Sequence, residues 1–153
     1  MSKIVQSTVS WDDYFMGAAR HAATRSKDPS TKVGCVIVGP ERAQRMSGYN
    51  GPPPGVLDLA ERFERPAKYR FVLHAEASAL SHAARNGVSV EGCTLYVTHF
   101  PCNECSKLII AAGIRHLKYG AGKTSMPDDL FEVSKTMLAE AGVTTQMIAE
   151  EMK

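Results

Sequence analysis

Apolar and polar residues alternate along this chain in short blocks punctuated by glycine and proline. Over residues 10–25, Trp11, Tyr14, Phe15, Ala18, Ala19 and Ala22 recur at helical spacing, with Ser10 placed to cap the helix ahead of Asp12 and Asp13. After a polar stretch, residues 33–38 (VGCVIV) form a continuous apolar run of strand length, ended by Gly39 and Pro40, and predict a buried strand. Residues 42–49 predict an antiparallel return strand. Residues 48–55 (GYNGPPPG) must be loop, because proline fixes φ and removes an amide donor. The charged residues 58–70 fit either a short helix or a surface excursion. Residues 73–85 predict an alanine-rich helix with His74 at its start and Asn86-Gly87 as its stop. There follow a strand over 93–98, a helix over 102–112 after Pro101, a strand over 114–119, a helix over 128–141 stopped by Gly142, and a strand over 143–148.

A leading helix followed by β-β-α-β-α-β-α-β favours parallel pairing, with right-handed crossovers, for strands separated by helices. The expected fold is α/β: a three-layer α/β/α sandwich around a five-stranded mixed sheet, in a single domain over residues 1–153. A chain of this length buries roughly two-thirds of its unfolded surface and needs no disulfides. A composition of 44% hydrophobic and 22% charged residues excludes a disordered or membrane chain. The 18 basic and 16 acidic residues are interspersed and sum to +2, so no basic stripe invites nucleic acid, and a small ligand or protein partner is expected. Residues 1–10 hold no signal-like apolar run, and no segment approaches the ~20 apolar residues of a membrane span. A cytoplasmic protein with no membrane partner is the expectation.

The chemistry concentrates in two motifs, His74-Ala75-Glu76 and Pro101-Cys102-Asn103-Glu104-Cys105. Alone, the Cys102/Cys105 pair would suit a structural zinc half-site or a redox couple equally well. With His-x-Glu about 28 residues upstream it matches the recorded signature of zinc-dependent deaminases. One imidazole and two thiolates leave a fourth tetrahedral position open, as a catalytic zinc requires. Both motifs fall at helix N-termini, where the dipole favours thiolates, and at the carboxyl edge of the sheet, where open α/β folds bind ligands. Glu76 suits a proton shuttle that protonates N3 of cytosine and later the departing ammonia, while zinc activates water for attack on C4. Cys35 and Cys93 lie in apolar runs and read as small buried hydrophobes. His21, His82, His99 and His116 read as surface or interface histidines.

Beyond the metal motifs, Ser10-Trp11-Asp12-Asp13-Tyr14-Phe15-Met16, Gly48-Tyr49-Asn50-Gly51 with its proline-rich continuation, and residues 102–110 (CNECSKLII) resemble the dCMP deaminases, over about residues 10–143. The resemblance implies a cytidine deaminase-like fold that converts dCMP to dUMP for thymidylate synthesis, in a homo-oligomer, commonly a hexamer. It implies activation by dCTP and inhibition by dTTP, each bound with magnesium. Gly48, Tyr49, Asn50 and Gly51 match the family's effector-associated loop, and Arg85, with Asn86, matches its effector and subunit-contact region. Ala75 joins the implied substrate contacts. A Gly/Pro loop can equally be a plain turn, and an arginine near a helix end a plain cap.

Asn50 is the candidate to bind the deoxyribose, and Arg25, Ser26 and Lys27 with Tyr119 are candidates for the 5′-phosphate, although a solvated charged loop would look the same. Phe100 precedes Pro101 at a position that varies among related enzymes. The insert between Gly55 and His74 contains no cysteine or histidine, so one zinc per subunit is expected. The rival readings are a deaminase of the same fold acting on free nucleosides, guanine or tRNA adenosine, and a zinc-stabilised nucleotide sensor. Glu76 argues against the sensor, because a structural zinc needs no carboxylate beside it.

Overall fold

Helix α1 (Trp11–Ala23) starts where the sequence places its cap: the Ser10 hydroxyl accepts the Asp13 amide at 3.1 Å, and Asp12 and Asp13 occupy the first turn, which the helix dipole favours. The structure, a computed structural model, describes residues 1–149. Strand β1 (Gly34–Val38) is buried throughout, as its unbroken apolar run requires. It pairs antiparallel with β2 (Gln44–Tyr49) on one edge and with β3 (Thr94–His99) on the other. Strand β4 (His116–Gly122) pairs parallel with β3, and β5 (Thr144–Met147) parallel with β4, giving the order β2-β1-β3-β4-β5. The expected five-stranded mixed sheet is therefore present.

Alternation in the strands sends side chains to two helical layers. Val36 and Val38 of β1 and Tyr96 of β3 meet Phe15, Met16 and Ala19 of α1. Cys35, Ile37, Leu95, Val97 and Leu117 point the other way. They meet α3 (Ala75–Arg85), α4 (Asn103–Ala111) and α5 (Asp128–Glu140) through Ala79, Ile109 and Leu138. Cys35 and Cys93 are buried free thiols in this larger core, in keeping with their apolar sequence context. Asp12 ties α1 to the sheet, accepting from Tyr96 Oη at 2.6 Å and Lys118 Nζ at 2.7 Å. Among the described residues no helix is long and apolar enough to cross a membrane.

Three details position the site. The charged stretch 58–70 forms a 3-10 helix (Ala60–Phe63) and a short helix α2 (Lys68–Phe71) that carry Arg65 and Lys68 to the sheet edge. Strand β4 runs to Gly122, past the expected end at Tyr119, because its pairing with β3 continues to His99. Gly48 in β2 lies under α3: a Cβ there would stand 2.4 Å from the Ala75 carbonyl oxygen and 2.7 Å from the Ala79 nitrogen. Only glycine lets the helix sit this low.

Candidate active site

His74 is the N-cap of α3, with extended backbone just before the helix, and Cys102 is the N-cap of α4. The Cys102 Sγ accepts the Cys105 amide at 3.5 Å, so the thiol is held as a cap. His74 Nδ1 lies 3.4 Å from both Cys102 Sγ and Cys105 Sγ, and the three donor atoms fall within 4.8 Å of one another. Among the described residues this is the group that can hold a metal ion.

The electrostatics of the trio fit a dication. Contact with Cys105, together with His74, draws the Cys102 thiol well below the ordinary cysteine range. The same contact pushes the Cys105 thiol up, because it keeps its proton to donate to the Cys102 sulfur, and burial adds to the effect, so without a cation the two sulfurs do not ionise together. The His74 imidazole is drawn up, chiefly by its bond to Cys102. A divalent cation among these atoms relieves the conflict and leaves both sulfurs ionised, and one nitrogen with two sulfurs is a zinc-type donor set.

Glu76, the second residue of α3, is 4% exposed, and burial pushes its carboxyl up to about 7 despite the opposing effect of His74. A cavity of about 100 Å3 is lined by His74, Glu76 and Cys102 together with His99 and Phe100 from the end of β3. Its polar walls come from α2 and its approach, with Arg65, Lys68 and Tyr69, and from Thr124 and Ser125 after β4. Lys68 is already neutralised by Asp28 at 2.9 Å, a buried pair in which Asp28 also accepts from the amides of Ser30 and Thr31. Arg65 is different. It donates to Tyr69 Oη at 2.7 Å and Ser125 Oγ at 3.1 Å, and has no carboxylate partner among the described residues.

Asn50 is buried and lines the cavity; its Oδ1 accepts the Val33 amide and its Nδ2 donates to the Thr31 carbonyl, both at 2.9 Å. These bonds fix the loop and leave one N–H for a ligand. The expected phosphate set is not brought together here. Arg25 and Lys27 line a second pocket of about 210 Å3 instead, and Lys27 is held by Asp58 at 2.6 Å. Ser26 is buried and donates to the Asn50 carbonyl at 2.8 Å. Tyr119 packs edge-on against Phe100, 4.8 Å between centroids, and does not line the cavity. Ala75 is buried against β2 beneath the helix start.

Tyr49, Asn50 and Gly51 of the expected effector loop line the second pocket with residues 52–55 and His82. Gly48 lies beneath α3, while Arg85 and Asn86 are exposed at its far end, off the pocket, with Asn86 Nδ2 donating to the His82 carbonyl at 2.8 Å. The sequence pattern did not mark Arg65, Lys68 or His99 as site residues. His99, three residues before Cys102 at a strand's carboxyl end, carried the positional signal; Arg65 and Lys68, in a stretch without periodicity, carried none.

The model of the cytidine and deoxycytidylate deaminase zinc-binding region matches residues 9–121. Human deoxycytidylate deaminase is 41% identical over 140 residues, covering 88% of this chain and 77% of that protein. The deoxycytidylate deaminase of Mycobacterium phage D29 is 40% identical over 126 residues, covering 71% of this chain and 93% of that one. Among solved structures, dCMP deaminase of the cyanophage S-TIM5 in complex with dCMP and dUMP matches with a TM-score of 0.73 at 29% identity, covering 88% of this chain and 94% of that chain. The matched region holds His74, Glu76, Cys102 and Cys105 in the geometry described above, and the chain belongs to the cytidine and deoxycytidylate deaminase family.

Proposed function

We propose that this chain hydrolyses dCMP to dUMP and ammonia, with one zinc per subunit held by His74 Nδ1 and the sulfurs of Cys102 and Cys105. The carrying observation is the buried Glu76 carboxyl in the same cavity as that donor set, with the Arg65 guanidinium on its wall. When bound, zinc supplies a Lewis acid that makes water nucleophilic near neutral pH. Glu76, held near 7 by burial, takes a proton as water adds at C4 and gives it to N3; the carboxylate then takes the proton of the new C4 hydroxyl and gives it to the amino group, so that the C4 carbonyl forms as the C4–N4 bond breaks and ammonia leaves. Phe100 offers an apolar wall to the ring, and Asn50 its remaining N–H to the sugar.

Arg65 is what favours a nucleotide over a nucleoside. A cation without a carboxylate partner on a cavity wall suits an anionic ligand, and bidentate donation suits phosphate. The same reading makes the enzyme a cytoplasmic homo-oligomer that feeds thymidylate synthesis. The second pocket is then the place for dCTP and dTTP with magnesium, as the resemblance of its loop implies. Ultraviolet assay of the zinc-loaded protein with dCMP, dCTP, deoxycytidine and cytidine tests the substrate. The expected kcat/KM for dCMP exceeds that for the nucleosides by ~100-fold or more. Equal turnover of deoxycytidine overturns the nucleotide reading, and no turnover of any cytosine compound overturns the deaminase reading.

A further inference from the structure

His99 has an arrangement that neither the metal nor Glu76 accounts for. It is the last residue of β3 and lines the cavity. Its Nδ1 lies 2.7 Å from the Thr98 hydroxyl, and that hydroxyl oxygen already accepts the Gly34 amide at 3.1 Å. The Thr98 hydroxyl has no other acceptor in reach among the described residues, so its proton goes to Nδ1. The ring is neutral, since burial pushes its pKa down, and its one N–H therefore sits on Nε2. That atom has no hydrogen-bond partner among the described residues and is not sealed from the surroundings. It is a donor of fixed tautomer on the wall of the cavity.

The place of His99 indicates what the donor meets. Its ring lies flat against Gly122: a Cβ on that glycine would stand 2.6 Å from Cδ2, Cε1 and Nε2 alike. Gly122 leads within three residues to Thr124 and Ser125, and Ser125 Oγ accepts from Arg65 Nη2 at 3.1 Å. The histidine donor is thus on the side of the cavity built from β4 and its following loop, where the unpaired guanidinium is anchored. Glu76 and the metal donors come from α3 and α4.

We propose that His99 is a specificity-determining residue whose Nε2–H binds the 5′-phosphate of the nucleotide beside Arg65, oriented by the Gly34–Thr98 hydrogen-bond relay and by the flat seat on Gly122. This rests on the proposed deamination of dCMP. It adds a neutral donor of fixed orientation beside the guanidinium, and so fixes how far the phosphate enters.

The test compares dCMP with deoxycytidine in His99→Leu, which keeps the bulk of the ring, and in His99→Gln, whose amide can present an N–H close to the position of Nε2. His99→Leu should raise KM for dCMP by about 10- to 100-fold, the loss of one hydrogen bond to a charged group, with kcat within about threefold. Turnover of deoxycytidine should be unchanged, and His99→Gln should recover most of the KM. Gly122→Ala, which displaces the ring without removing it, should reproduce the KM effect and add little to His99→Leu in the double variant. Equal losses on dCMP and deoxycytidine, or dCMP kinetics unchanged in His99→Leu, overturn the assignment while leaving the deaminase reading intact. Absence of dCMP turnover in the unmodified protein falls on that reading instead. If His99→Leu does not fold, the split between dCMP and deoxycytidine in Gly122→Ala decides the question alone.

Discussion

Glu76 and His74 stand two residues apart at the start of one helix, yet their side chains do different work. His74, as the cap, turns its Nδ1 to the sulfurs, and Glu76, one step inside the helix, is buried in the cavity without joining the three donor atoms. The separation can be measured. Glu76→Gln keeps the shape and the fold, should retain one zinc per subunit, and should lose at least ~100-fold in kcat, the usual cost of removing a general acid-base group. Cys105→Ala should lose zinc and activity together, because two remaining donors cannot close a tetrahedral site. Metal analysis of the purified variants beside the ultraviolet assay distinguishes the two outcomes; a Glu76→Gln protein without zinc, or a Cys105→Ala protein with it, contradicts the division of roles.

The elements matter because they hold those caps at a fixed height. Helix α3 rests on β2 at Gly48, where the facing atoms are backbone and have little room to yield. Gly48→Ala should therefore lift α3 and cost about 1–3 kcal/mol, a fall in Tm of roughly 3–10 °C. It should also weaken zinc binding, since His74 moves with its helix; thermal melts and zinc titration of the same samples check both, and a lower Tm with unaltered zinc affinity would show that the cap is positioned by something else. This seat was not legible from the sequence, where Gly48 belongs to a loop signal. What was legible was local: the buried run that makes β1, the Ser10 cap, and the His and Cys motifs at helix starts. The place of β3 between β1 and β4 was not, because it depends on which edges meet in three dimensions. For the same reason Arg65 and Lys68, far from Cys102 in the chain, come to the cavity unannounced, while Arg25 and Lys27 line the second pocket instead.

At the scale of the whole molecule, Asn50 is common to two pockets. One holds the metal donors; the other is bordered by the proline-rich loop, Arg25 and His82. Its Nδ2 and Oδ1 are both bonded to residues 31 and 33, so a ligand that shifts the loop in the second pocket must also strain the wall of the first. On the proposed reading this is the route by which triphosphates act, and they act only if they bind two states with unequal affinity. Saturation with dCMP should then be sigmoidal without effector, nearly hyperbolic with dCTP and magnesium, and more strongly sigmoidal with dTTP. Arg85 is exposed at the far end of α3, about one turn beyond His82 and roughly 16 Å from His74 along the helix at 1.5 Å per residue. A role in the switch therefore places it at a contact between subunits and not inside the pocket of its own chain. Arg85→Glu should alter the cooperativity and the oligomeric mass measured by light scattering, while zinc content stays at that of the unmodified protein. Hyperbolic kinetics indifferent to both triphosphates at several protein concentrations would reject the regulation and leave the chemistry at His74, Glu76, Cys102 and Cys105 as it stands.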